Sequence, residues 1–189
     1  MSFFGERDNC RNETELSKNG FCGKGEATIV LPIPPRDVLE ILSDPKYATN
    51  IFSNRICEIT GISSPNGEEL DVDSVRKKGG KFEAEGAVLA VPTQATFEIT
   101  AYEDSKLAVK CNEVSAFGLS HPLDLIVEYN LSEKQGNTLL GLSVECHIEG
   151  MLGKLLRMFS SNPDKTITKE AFAAGQRINK LIQQIALQE

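Results

Sequence analysis

The chain has 189 residues, 40% of them hydrophobic, enough for one domain with a buried core and no disulfide staples. Its 20 Lys and Arg against 27 Asp and Glu leave a net charge of −7, and the cations are scattered. That balance argues against general attraction to nucleic acid, which needs a basic face.

The opening MSFFGERDNC carries charge early and lacks the apolar stretch of roughly seven to fifteen residues of an export signal. No apolar run approaches the ~18 residues that cross a bilayer. The expectation is a soluble cytoplasmic protein. Residues 1–24 are polar and rich in Gly and Asn, with Phe3, Phe4 and Phe21 as aromatic anchors, and read as an N-terminal arm preceding a domain over 25–189. Asn12-Glu13-Thr14 forms a glycosylation sequon, expected to be a chance match without a secretory route.

From Glu26 the apolar residues alternate through Ala27, Ile29 and Leu31, predicting a strand. Pro34 and Pro35 suit the first turn of a helix, whose apolar face would be Val38, Leu39, Ile41 and Leu42. Ser43-Asp44-Pro45 ends it and starts a second short helix through Tyr47, Ile51 and Phe52. Strands are then predicted over 56–63, 70–78, 81–102, 107–113, 122–131 and 138–148, separated by turn residues. TFEITA, LDLIVEYNL and TLLGLSVECHI alternate cleanly, the mark of an antiparallel sheet with one wet face and one buried face. Cover for the buried face comes from the C-terminus. Asn162 is a predicted N-cap, Pro163 the first helical residue, and Ile167, Ala171, Ala174, Gly175, Ile178, Leu181, Ile182 and Ile185 share one face of a helix of roughly 25 residues, ~37 Å long.

Cys57, Cys111 and Cys146 fall in strand patterns, where a free Cys acts as a small hydrophobe. Cys10 and Cys22 sit in the polar leader without zinc-site spacing, and with two His and no CxxC no metal or cofactor is expected.

This order of elements resembles the START-like superfamily, also written SRPBCC, which includes birch-pollen allergens, steroid-transfer domains, coenzyme Q-binding proteins and polyketide cyclases. The carriers are IPPRDVLEILSDPKYATNIF, FEITAYEDSKLAVK, GNTLLGLSVECHIEGMLGKLL and the amphipathic last helix, and the resemblance spans 26–187. It implies an α+β helix-grip fold: a seven-stranded curved antiparallel sheet, two short helices closing one end, and one long C-terminal helix across the concave face. It also implies a ligand cavity between sheet and helix.

The expected lining is Phe97, Ile99, Val109, Leu125, Val127, Tyr129, Leu142 and Val144 from the sheet, with Leu107 beside them, and Ala171, Ala174, Gly175 and Ile178 from the helix. The small residues at mid-helix admit two readings, room for a guest or close helix-on-sheet packing. An apolar lining with one phenol suits a small hydrophobic ligand, lipid-like, isoprenoid or aromatic. Binding or transport without chemistry is therefore the leading expectation. Cyclase-like catalysis ranks lower because the inward sheet faces offer almost no titratable groups, and the abscisic-acid receptor branch is poorly matched because its gate and latch sequences are not visible.

A solvated face is the expectation for Arg76, Lys77 and Lys78, a cationic cavity wall the alternative. For His121 a surface loop is expected, a cavity lip the alternative; His147 faces outward with no catalytic role. The other class of function is a protein-interaction module like the superfamily's chaperone activators. GMLGKLLRMF, residues 150–159, either leads into the final helix or forms a partly apolar lid that touches a membrane or partner transiently.

Overall fold

The computed structural model describes residues 20–54, 57–66 and 70–187. Seven strands, β1 Gly20–Leu31, β2 Cys57–Ser63, β3 Lys81–Val88, β4 Val91–Glu103, β5 Lys106–Ala116, β6 Leu119–Lys134 and β7 Asn137–Glu149, form one antiparallel sheet. Their order is β1-β7-β6-β5-β4-β3-β2. Each strand from β2 to β7 pairs with the next, and β1 returns beside β7, from Gly20 opposite Glu149 to Leu31 opposite Thr138. Register shifts in the β2–β3, β4–β5 and β5–β6 ladders supply the bulges that curve the sheet.

The helices meet their sequence signals. In α1, Pro35–Leu42, Pro34 is the N-cap and Val38 and Leu39 are buried. Asp44 then caps a single 3-10 turn, Pro45–Tyr47, accepting from the Lys46 N–H at 3.1 Å, and α2 follows at Ala48–Phe52. Asn162 caps the long α5, Pro163–Ala186, accepting from the Lys165 N–H at 2.9 Å. The expected α+β helix-grip architecture is the one observed. No helix among the described residues is long and apolar enough to cross a membrane.

Several details differ. β1 begins at Gly20, so residues 20–24, assigned to the arm, belong to the sheet, and Phe21 is buried at 6% exposure. The rest of the proposed arm lies outside the described residues. Residues 70–78 hold one helical turn, α3 Val72–Val75, capped by Asp71, instead of a strand. The long stretch 81–102 is two strands, because Leu89 and Ala90 turn the chain with φ of +52° and +64°. Left-handed backbone at both central positions makes the tight hairpin that Asn-Gly usually makes, and Leu-Ala gives no such signal. The lost strand and the split strand compensate, leaving the expected seven. Residues 150–159 form a separate helix, α4 Gly150–Phe159.

α5 lies mainly along β1 and only grazes β7. Two glycines permit this. A Cβ on Gly25 would collide with the backbone N of Thr168, and one on Gly175 would overlap the Ile29 side chain. The helix is therefore drawn to one edge of the sheet, and the central strands face it across a gap. Buried side chains accordingly fall into two clusters. One, near α1, α2 and the C-terminal half of α5, includes Leu31, Ile99, Leu107, Leu142 and Ile178; the other, against α4, includes Phe21, Cys111, Leu123, Ile148 and Leu152.

Candidate functional site

Between the clusters lies a cavity of about 330 Å³. Phe82, Phe97, Ile99, Val109, Leu125, Val127, Tyr129 and Val144 form its floor, Ile167, Ala171 and Ala174 its roof. Ile51 and Phe52 of α2 close one end, and Leu152 and Leu156 of α4 the other. Phe82 and Phe97, paired across β3 and β4, stack at 5.2 Å with planes 10° apart. Phe97, Val109, Leu125 and Val144 lie mid-sheet under the helix yet are only half-buried, whereas neighbouring Ile99, Leu107 and Leu142 are sealed. A filled core would seal all seven.

Nine of the twelve residues singled out from sequence share this lining: Phe97, Ile99, Val109, Leu125, Val127, Tyr129, Val144, Ala171 and Ala174. Leu142, Gly175 and Ile178 do not. Leu142 and Ile178 are packed in the cluster beyond the α2 end, and Gly175 is where helix presses on β1. The small-residue patch thus divides, Gly175 serving close packing and Ala171 and Ala174 roofing free space.

The helices also bring polar groups that strand alternation could not reveal. Glu170 accepts a hydrogen bond from Asn54 Nδ2 at 3.0 Å and lies 3.7 Å from Arg177, whose Nε donates to the Ile51 carbonyl at 2.6 Å. Asp44, almost fully buried, pairs with Lys46 at 2.8 Å and with Arg76 at 3.7 Å. Ser160 and Thr166 hydroxyls meet at 2.7 Å. All these residues border the cavity except Lys46 and Arg76.

Two thiols, Cys57 and Cys146, reach the cavity too. Burial raises the Cys57 pKa, with the Glu170 charge adding to it. For Cys146 burial pushes the pKa up to about 12. Tyr129 is 2% exposed, and burial alone pushes its phenol well above the ordinary value of 10.0.

Arg76, Lys77 and Lys78 stand off the cavity; Lys77 and Lys78 are exposed, while Arg76 also donates to the Glu40 carbonyl at 2.9 Å. His121 is neither a surface loop residue nor a lip. It is buried in β6, its Nε2 3.2 Å from the Ala116 carbonyl, because the preceding loop is a tight hairpin at Phe117-Gly118. His147 lies 3.6 Å from Glu149, off the cavity.

No family model matches the chain, and no curated protein matches it by sequence. Solved structures match it by shape. A conserved protein from Geobacillus kaustophilus superposes with TM-score 0.57 at 14% identity, covering 85% of this chain and 95% of that one. Ms6760 from Mycobacterium smegmatis gives 0.56 at 14%, covering 86% and 92%. Ara h 8.0201 gives 0.54 at 14%, covering 86% and 99%. At such identities the likeness is one of fold. The chain has the helix-grip fold that the resemblance implies.

Proposed function

We propose that the domain binds a small hydrophobic ligand in the cavity between sheet and α5. The observation that carries this reading is the divided core: inward residues at mid-sheet border about 330 Å³ of free space instead of one another. That volume falls at the lower end of the range of small-molecule sites, and an apolar wall with few polar groups is the usual composition of one. Lipid-like, isoprenoid and aromatic molecules fit this chemistry.

Replacing Ala174 with Phe is the test. The ring enters the cavity, so binding of an environment-sensitive apolar dye is lost while stability changes little. If the site is a plain core, the parent protein binds no dye and the substitution costs about 1–3 kcal/mol through overpacking. Native mass spectrometry of protein from its own source would then identify a retained guest.

A second reading concerns α4. Met151, Met158 and Phe159 are 54%, 81% and 69% exposed, with Lys154 and Arg157 exposed on the same helix. Among the described residues that line the cavity, Phe159 is the one that is exposed. Apolar tips among cations suit an anionic lipid surface, which a chain of net charge −7 would meet only through such a patch. In this reading α4 docks the cavity's open side on a membrane while ligand passes.

A further inference from the structure

Nearly all the oxygen- and nitrogen-bearing side chains at the cavity already have partners. Ser43 donates to the Glu40 carbonyl, Asp44 is paired with Lys46 and Arg76, and Ser160 with Thr166. Glu170 holds Asn54 and Arg177. Tyr129 is the exception. Among the described residues its hydroxyl has no hydrogen-bond partner, and burial acts on it without any compensating bond. Tyr129 also lines the cavity.

Its position is deep. Tyr129 stands on β6 between Leu107 of β5 and Leu142 of β7, both sealed, in the sheet region that α1 covers. The exposed Phe159 lies on α4, across the cavity from that end. A buried phenol without an acceptor is costly, and a guest that supplies one recovers the loss.

Resting on the cavity reading above, we propose that Tyr129 is the polar anchor of the site and that its ligand is a neutral, largely apolar molecule carrying a carbonyl-type oxygen at its innermost end. Neutrality follows from the charges present: Arg177 is already held by Glu170 and the Ile51 carbonyl, so a carboxylate would lack a cation of its own. The phenol stays protonated at physiological pH and acts as donor.

Fluorene and 9-fluorenone, nearly equal in shape and differing by one carbonyl, test this. Dissociation constants are measured by equilibrium dialysis for the parent protein and for Tyr129→Phe, whose folding is checked by chemical denaturation. The expected result is about a fivefold loss of fluorenone affinity in the variant, the worth of a typical neutral hydrogen bond, with fluorene unchanged or tighter. The carbonyl stretch of bound fluorenone should also sit at lower frequency in the parent than in the variant. If both probes bind and neither the affinity ratio nor the stretch responds to Tyr129→Phe, the anchor is overturned and the cavity stands. If neither probe binds the parent, the cavity reading falls and the anchor with it.

Discussion

Gly25 and Gly175 set the distance between α5 and the sheet, and their two contacts predict different costs. At Gly25 the obstacle is helix backbone, which cannot turn aside, so Gly25→Ala should destabilise by about 1–3 kcal/mol in urea denaturation. At Gly175 it is the end of the Ile29 side chain, which can rotate, so Gly175→Ala should cost less. Phe21 is a third residue whose role follows from packing: it fills space against Leu152 and Ile167, and Phe21→Ala should cost about 3 kcal/mol by the same measurement. Deleting residues 20–24 should therefore destabilise, contrary to what a dispensable arm would imply. Cys146 fixes an alkaline limit. Its pKa is raised in the folded protein, so the stability it contributes is complete below the ordinary thiol value of 9.0 and is lost as pH rises towards about 12. Denaturation midpoints should fall across that window, and Cys146→Ala should reduce the slope.

At the scale of elements, strands whose faces differ in polarity were legible. β6 and the first half of β7 show full alternation, and the inward register of Leu125, Val127, Tyr129 and Val144 follows from it. What escaped was structure set by contact between distant segments. Gly23 read as arm composition because the function it shares with Gly25, admitting the α5 backbone, has no local signature. The Leu89-Ala90 turn carries none of the residues that favour left-handed backbone. The Asn54–Glu170–Arg177 cluster joins α5 to the segment after α2, positions more than a hundred residues apart in sequence. Helix α4 was legible in composition and not in boundary. If its exposed tips meet lipid, the parent protein should float with vesicles containing phosphatidylglycerol, and the double change Met158→Ser, Phe159→Ser should abolish flotation without shifting the urea midpoint. Flotation with neutral phosphatidylcholine alone would show that the cations contribute nothing.

For the whole molecule, the divided core makes stability and occupancy two aspects of one equilibrium. Neither cluster seals the sheet by itself, and α5 links them, Ile167 lying in one and Ile178 and Ile182 in the other. Removing residues 163–189 should therefore end cooperative unfolding, since both clusters lose their cover at once. A guest in the cavity acts in the opposite sense, bridging the clusters only while the protein is folded. Binding to the native state alone stabilises by about 2.7 kcal/mol at a free concentration a hundredfold above Kd. In a domain of this size about 1 kcal/mol moves Tm by roughly 2–4 °C, so a saturating apolar ligand should raise Tm by about 5–10 °C. The rise should grow with the logarithm of ligand concentration and vanish in Ala174→Phe, whose own Tm stays near that of the empty parent. A ligand-induced shift that persisted in Ala174→Phe would place the binding somewhere other than beneath α5.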